Sequence, residues 1–151
     1  MSFSVVLQNN TLISNSDLLS GGSLSIPFTN SFYLTPDLQS LYVASSLGQS
    51  IKKYIKTSTG WVDSNTIVDN SFNINFGSLC PSSLYLYNSF LYISFADSNN
   101  NSQIWRVDSK TGKQVYSSTT GVSSSIIYST NNAGLTAMVS DDTYLYVANT
   151  G

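Results

Sequence analysis

The chain has 151 residues and a net charge of −2, with 9% of its residues charged and 41% hydrophobic. A chain of this length and composition folds as one ordinary domain and is too apolar to be disordered. The absence of histidine, the single cysteine and the low basic content exclude a disulfide framework, a zinc site of the usual kinds and a nucleic-acid partner.

The composition favours strands over helices along the whole chain. Glutamate is absent, and 10 Tyr and 7 Phe accompany many Ser, Thr, Val and Ile residues. Aromatic and β-branched side chains suit the half-buried surface of a sheet, whereas strong helix formers are scarce here. We therefore predict an all-β fold.

The N-terminal residues predict two short strands and no targeting signal. Ser2–Leu7 and Leu12–Ile13 have strand composition, and Asn9–Thr11 provides a turn between them. This region lacks the basic start of a signal peptide, and no stretch of the chain approaches about 18 consecutive apolar residues. We therefore expect no membrane partner and favour an intracellular or virion-associated location.

A strand with the pattern Leu-Tyr-Val/Ile occurs three times along the chain, as Leu41–Ala44, Leu91–Ser94 and Leu145–Ala148. A polar turn precedes each copy, and another short strand precedes each turn. These preceding strands are Phe32–Leu34, Leu84–Tyr87 and Thr136–Val139. Each pair of strands predicts a β-hairpin.

A third and a fourth strand follow the first two hairpins. Ile51–Ile55 and Ile104–Asp108 have strand composition, and each leads into a Thr-Gly turn, at Gly60 and at Gly112. The fourth strands follow these turns, at Trp61–Val62 and at Lys113–Tyr116. Glycine supplies the positive φ that a tight reversal needs. Four short antiparallel strands in about 50 residues predict one β-propeller blade.

The spacing of the repeated strand predicts three blades, one of them divided between the chain ends. Leu41 and Leu91 are 50 residues apart, and Leu91 and Leu145 are 54 apart. The third copy has no further strands before Gly151, but Ser2–Leu7 aligns with Ser50–Ile55. We therefore expect a single domain over residues 1–151, with blades at about 31–65, 82–118, and 134–151 joined to 1–14.

Three blades are fewer than the four to eight that typically close a propeller. Two copies placed head to tail would provide six. In this arrangement the N-terminal strand of one copy pairs with the C-terminal hairpin of the other, through Phe3, Val5 and Leu7 on one side and Leu145, Tyr146 and Val147 on the other. The sequence thus predicts a self-associating chain, a homodimer or another closed ring.

The three Leu-Tyr-Val/Ile strands and the Thr-Gly turns resemble NHL repeats. That family carries an acidic residue after the central strand, where this chain has Ser45, Phe95 and Asn149, with Asp97 as a displaced equivalent in the second copy. The resemblance implies a propeller, with six blades as the common form. It implies no single function, because propellers of this kind include protein-binding, RNA-binding, scaffolding and enzymatic members.

Two groups of polar residues are candidates for a functional site. The longest polar loop after a central strand contains Asp97, Asn99 and Asn100, and with Asn149 it forms a possible binding face, since such loops often carry recognition. The eight aspartates could supply oxygen ligands to calcium. They are Asp17, Asp37, Asp63, Asp69, Asp97, Asp108, Asp141 and Asp142. Turn formation is the competing role for Asp37, Asp108, Asp141 and Asp142.

No residue pattern indicates catalysis. Cys80 has no histidine to activate it, and its position beside Pro81 predicts a packed thiol. We therefore expect a non-catalytic interaction or structural module without a cofactor, whose partner is itself or another protein or peptide. Two alternatives stay open: a calcium-dependent enzyme of the lactonase or lyase kind, and a fragment or engineered piece of a longer propeller. A viral particle component is a further setting for such a module.

Overall fold

The computed structural model describes residues 5–8, 11–14, 25–27, 29–45, 49–67, 72, 74–76, 79–96, 102–115, 126–131, 134–141 and 143–149. Strands account for most of these residues, and the single helix described is one short turn. The all-β prediction is therefore confirmed. The chain divides into two compact units, Met1–Asn75 and Phe76–Gly151.

The first unit contains eight of the described strands and the helical turn. The strands are β1 (Val5–Gln8), β2 (Thr11–Ser14), β3 (Ser25–Pro27), β4 (Thr29–Leu34), β5 (Ser40–Ser45), β6 (Ser50–Thr57), β7 (Gly60–Asp63) and β8 (Ile74–Asn75), and helix α1 is Ser64–Ile67. The order β1-β2-β3 forms one antiparallel sheet. A second antiparallel sheet contains β4, β5, β6 and β7 in that order, and β8 joins this sheet by pairing with β6.

The second unit contains six described strands in two antiparallel sheets. The strands are β9 (Cys80–Tyr87), β10 (Phe90–Ala96), β11 (Ser102–Asp108), β12 (Ile126–Thr130), β13 (Leu135–Ser140) and β14 (Leu145–Asn149). The first four form a sheet in the order β12-β11-β10-β9, and β13 and β14 form a two-stranded hairpin.

The three predicted hairpins, β4–β5, β9–β10 and β13–β14, share one register. The tyrosine of each Leu-Tyr-Val/Ile strand lies opposite Tyr33, Tyr85 or Val139 on the preceding strand. In each hairpin the register shifts once, immediately after the fourth residue of the pattern, where the preceding strand carries one extra residue. Such a bulge bends the strand and increases its twist.

The turns follow the local sequence. Asn88 and Ser89 both have positive φ, 46° and 68°, as a two-residue turn between antiparallel strands requires. Gly60 and Gly112 have φ of 124° and 69°, which confirms the predicted glycine turns.

Three aspartates hold turns through their side chains. The Oδ1 of Asp37 accepts from the Gln39 amide at 3.0 Å. The Oδ1 of Asp108 accepts from the Thr111 amide at 2.8 Å, and that of Asp141 accepts from the Thr143 amide at 2.7 Å. The turn role predicted for these aspartates is therefore confirmed. Asp142 lies outside the described residues.

The prediction of an NHL-like propeller with three blades is wrong. The described strands form separate antiparallel sheets of three, five, four and two strands, and none of these described sheets closes. Of the predicted fourth strand of the second blade, Lys113–Tyr116, the described residues 113–115 contribute one isolated bridge, between Gln114 and Val107. In the sheet, β12 pairs with β11 in its place. Among the described strands, the N-terminal ones form a sheet of three, in which β2 pairs with both β1 and β3, in place of the two-stranded half-blade predicted there.

The error has a physical cause. The Leu-Tyr-Val/Ile pattern and its polar turn determine a local hairpin, and hairpins are parts of antiparallel sheets of every architecture. How many further strands join the hairpin depends on pairings between residues distant in sequence. A four-residue pattern does not encode those pairings. The nearly equal spacing of the pattern suggested blades of four strands each, but the number of strands differs from sheet to sheet.

Each unit has its own hydrophobic core. In the first unit, Leu41, Val43 and Tyr54 are buried together, and Phe32, Leu34 and Trp61 pack against them. In the second unit, Ile104, Leu135 and Met138 are buried together, and Tyr85, Tyr92, Leu145 and Val147 pack against them. No helix among the described residues has the length and apolar character needed to cross a membrane.

Candidate interaction surface

The hairpin β13–β14, here called the C-terminal hairpin, packs on one side against the sheet of the second unit. Leu135 and Met138 point toward this sheet and are 2% and 8% exposed. They contact Tyr85 and Tyr92 on the neighbouring strands β9 and β10. Residues alternate between the two sides of a strand, so this contact determines which residues of the hairpin point away.

Hydrogen bonds fix the position of the hairpin on the sheet. The Ser82 hydroxyl donates to the backbone carbonyl of Leu135 and lies 2.8 Å from the Ser94 hydroxyl. At the other end of β13, the hydroxyls of Tyr85 and Ser140 form a hydrogen bond of 3.1 Å. Because Ser94 is fully buried, these bonds satisfy polar groups that would otherwise be costly to remove from water.

The side of the C-terminal hairpin that points away from the sheet is also apolar. It carries Ala137, Val139, Tyr146 and Ala148, all of them exposed, and we call these four residues the outer face. Val139 is 57% and Tyr146 is 51% exposed. An antiparallel sheet with one solvated side usually has polar residues there. The outer face departs from that rule, because its exposed side chains are mainly apolar. It forms a shallow depression of about 330 Å³.

The matching tyrosines of the other two hairpins are covered. Tyr42 is 2% exposed, and the Phe72 ring packs edge-on against it with 5.5 Å between ring centroids. The ammonium group of Lys53 lies 5.4 Å from the centre of the same ring. Tyr92 is partly buried and packs against the cluster that Leu135 and Met138 of the C-terminal hairpin form with Ile104. Of the three structurally matched tyrosines, Tyr146 is therefore the one with an exposed ring.

The edge of β14 is also open among the described strands. The matched strand β5 pairs with β4 and β6, and β10 pairs with β9 and β11, whereas β14 pairs with β13. Beside this edge lies a concavity of about 340 Å³. Its lining is mainly apolar and comprises Ile104, Ile127, Tyr128, Leu135, Leu145, Val147 and Asn149. An unpaired edge next to an apolar surface is a template for a further strand.

Electrostatic interactions order the turn of the C-terminal hairpin. The Tyr146 hydroxyl donates to Oδ2 of Asp141 at 2.8 Å, and Oδ1 of the same carboxylate accepts from the amide of Tyr144 at 2.7 Å. The backbone bonds from Tyr144 and Thr143, followed by the Tyr146 bond, lower the pKa of Asp141. The bond to the carboxylate raises the pKa of Tyr146. The hydroxyl of Tyr146 is thereby bonded to the turn of its own hairpin.

Some of the predicted site residues lie among the described residues and others do not. Asp97, Asn99 and Asn100 of the predicted loop, and Phe3, lie outside the described residues. Asn149 ends β14 and lines the concavity beside Ile104. Val5 and Leu7 belong to β1.

Of the predicted self-association residues on β14, Tyr146 lies on the outer face, and Leu145 and Val147 line the concavity. Sequence reasoning missed Ala137 and Val139. The alternation of Met138 with Val139 places these two residues on opposite sides of β13, but it does not show which side faces the core.

The aspartates proposed as calcium ligands do not converge among the described residues. No group of three or more His, Cys, Asp or Glu side chains in these parts of the chain is arranged to hold a metal ion. Asp63 pairs with Lys52 at 3.1 Å and accepts from the Asn65 amide at the start of α1. The predicted packing of Cys80 is wrong, because its thiol is exposed at the start of β9.

Comparison with known proteins gives no assignment. No protein-family model matches the chain, and no curated protein has significant sequence similarity to it. The resemblance to NHL repeats therefore finds no support from these two comparisons, and the functional argument depends on the surface of the C-terminal hairpin.

Proposed function

We propose that this chain is a non-catalytic interaction module that binds a protein partner through the C-terminal hairpin. The observation that carries the proposal is the contrast in exposure between two matched tyrosines, 51% for Tyr146 and 2% for Tyr42. Aromatic residues on a rigid, exposed sheet are the typical anchors of protein interfaces, because they bury much apolar area for little conformational entropy.

The first unit indicates the chemistry of a suitable partner. The residues that bury the matched side of its sheet include Phe72 and Ile74, which alternate with asparagine in the sequence, and Ile74 belongs to β8. Phe72 covers Tyr42, while Ile74 pairs with Ile51 in the sheet. An extended segment with apolar side chains at every second position would cover the outer face in the same way. Low charge on both sides favours such a contact over an electrostatic one.

The depression on the outer face is open and lacks convergent polar groups, which disfavours a small polar substrate. Its exposed residues are three aliphatic side chains and one tyrosine whose hydroxyl already donates to Asp141. No general base or nucleophile lies among them. These features support binding without catalysis.

A peptide tests the proposal directly. A labelled peptide with the sequence of residues 70–77 contains the Phe72–Phe76 segment, and its binding can be followed by fluorescence anisotropy. We expect saturable binding to the wild-type chain and at least a tenfold weaker affinity for Val139→Lys, because the new charge lies on the outer face. Gln114→Lys is the matched control, since it places the same charge at an exposed residue outside the C-terminal hairpin.

Equal affinity of the peptide for the wild-type chain and the two variants would contradict the proposal. Circular dichroism of each variant shows whether the all-β fold is retained. Val139 is 57% exposed, so its replacement removes little buried surface and we expect both variants to fold.

A further inference from the structure

The described strands of the second unit form two layers of unequal width. Four strands, β9–β12, form one layer, and β13 and β14 form the other. Neighbouring strands lie about 4.8 Å apart, so two strands cover about half the width of four. The C-terminal hairpin contacts β9 and β10. On the β14 side, Ile127 and Tyr128 of β12 remain 41% and 47% exposed beside the concavity.

In the other two hairpins, a further strand pairs with the edge that corresponds to the open edge of β14. In the first unit, β6 pairs with β5 and places Tyr54 opposite Leu41. In the second unit, β11 pairs with β10 and places Val107 opposite Leu91. The two registers are equivalent when Ile51–Ile55 is aligned with Ile104–Asp108. The Leu-Tyr-Val/Ile strand is thus paired on both edges in these two hairpins.

Strand β1 has the properties expected of a strand that pairs with β14 at the edge left open among the described strands. The sequence alignment matches Ser2–Leu7 with Ser50–Ile55 of β6, the strand that pairs with β5. β1 is an edge strand of its own sheet, since the order is β1-β2-β3. Neither Val5–Gln8 nor Leu145–Asn149 contains a charged residue. Charged side chains are a common protection of edge strands against pairing, and both strands lack it.

We propose that β14 pairs with β1 of a second copy of this chain. The register of β5 with β6, transferred through the alignment, places Val6 opposite Leu145 and Val5 opposite Tyr146. β2 and β3 of the second copy then continue the layer over the concavity, which gives the narrower layer five strands. This inference rests on the proposed function, because it names the partner that binds at the C-terminal hairpin.

The pairing is heterologous, since it joins two different strands. Each copy offers one β1 and one β14, and a closed assembly forms when every copy uses both. The mass in solution is then a multiple of 16.4 kDa. Backbone hydrogen bonds along β14 and burial of the apolar concavity stabilise the contact.

Single-cysteine variants provide the experiment. Val5→Cys and Tyr146→Cys are made separately in a Cys80→Ser background, because the exposed Cys80 thiol would otherwise react. Mixing the two variants under mild oxidation is expected to give a cross-linked pair of chains, with a disulfide between positions 5 and 146 identified by mass spectrometry. The mixture of Val5→Cys with Val139→Cys is the matched control and is expected to give at least tenfold less cross-link, because Val139 lies on β13.

Sedimentation equilibrium of the wild-type chain is the second readout, and it is expected to give a mass above 16.4 kDa. A monomer without the 5–146 cross-link would overturn the inference. A disulfide between two Tyr146→Cys chains alone would overturn it too, since it shows that two β14 strands pair. If the inference fails in either way but the wild-type chain still binds the 70–77 peptide and Val139→Lys weakens that binding, the proposed function is retained, and the partner is not a second copy of the chain. Loss of both peptide binding and cross-linking would overturn both.

Discussion

The hairpins β4–β5 and β13–β14 begin from almost the same sequence and end in different environments. Both place a Leu-Tyr-Val-Ala strand opposite a preceding strand with the same bulge. In β5 four consecutive residues are buried, whereas in β14 three of five are exposed and none is fully buried. The local sequence therefore determines the hairpin, and the residues that arrive from elsewhere in the chain determine whether it lies in a core.

This contrast separates two roles of the same tyrosine. Tyr42 contributes to the stability of the first unit through its contact with Phe72. Tyr146 contacts Tyr144, with 6.3 Å between ring centroids, and both rings are more than half exposed. A residue that stabilises the fold in one hairpin is thus available for recognition in the other. Substitutions at the two positions distinguish these roles.

The largest expected effect is on Tyr42. Tyr42→Ala removes a nearly fully buried aromatic ring, and core aromatic-to-alanine changes cost about 3–5 kcal/mol in the free energy of unfolding. Tyr146→Ala is the matched control, and we expect a much smaller loss of stability from it, because the ring is exposed and its hydrogen bond to Asp141 lies at the surface. Urea denaturation followed by circular dichroism measures both. Equal losses at the two positions would contradict the contrast between the hairpins.

A smaller loss is expected at the inner side of the C-terminal hairpin. Leu135→Ala removes a buried side chain from the contact with Ile104 and Met138, at a cost of about 2–4 kcal/mol. Hydrogen exchange of the amides of β13 and β14 measures the effect locally, and we expect faster exchange there than in β5. Thr136→Ala changes an exposed neighbour on the same strand and is the control, with little effect. Unchanged protection in Leu135→Ala would show that the inner side does not hold the hairpin.

Acid is expected to destabilise both hairpins by the same mechanism. Hydrogen bonds from Thr35 and the Gln39 amide lower the pKa of Asp37, and those from the amides of Tyr144 and Thr143 lower that of Asp141. A carboxyl group whose pKa is lowered in the folded state stabilises the protein at a pH above 3.8, the ordinary pKa of aspartate. This contribution is lost as the pH falls through the folded-state pKa.

The melting temperature therefore stays nearly constant from about pH 7 to 5 and falls below about pH 4. Asp37→Asn and Asp141→Asn should each flatten this fall by a similar amount. A flattening by one variant alone would show that the two turns are not equivalent. Thermal melts from pH 2 to 7, followed by circular dichroism, provide the measurement.

The smallest effect is expected at the ion pair between Lys52 and Asp63. The lysine side chain is 51% exposed, and exposed pairs contribute about 0.2–1 kcal/mol. Lys52→Ala should therefore change the free energy of unfolding by less than about 0.5 kcal/mol, and less still at high salt. Asp63→Ala should cost more, because Asp63 also accepts from the Asn65 amide at the start of α1. Equal losses would show that this helical turn gains nothing from Asp63.

Local features of the fold were predictable from the sequence. The hairpins, the Asn88-Ser89 turn, the glycine turns and the aspartate turns all follow from residue chemistry within about ten residues. The strands β3 and β12 were missed because Ser25–Pro27 and Ile126–Thr130 lie in serine-rich surroundings without alternation. Their place in a sheet depends on partners distant in sequence.

The candidate surface was predictable only in part. The prediction singled out β14, including Tyr146, because it is the third copy of the repeated strand. It did not include Val139, since a sequence does not show which side of a two-stranded hairpin packs against a second layer. Phe72 could not be recognised as the cover of Tyr42 for the same reason. Burial between layers is a property of the folded chain that hairpin patterns do not contain.

The shared bulge and register have a consequence for engineering the chain. Between the paired leucines of β4–β5, Leu34 and Leu41, the connection is residues 35–40, whereas in β9–β10 the connection between Leu86 and Leu91 is residues 87–90. The register is the same despite this difference in length, so the strands and not the turns set it. An affinity tag or a reporter domain inserted between residues 36 and 39 should therefore have little effect on strand pairing, although it would disrupt the hydrogen bonds of Asp37.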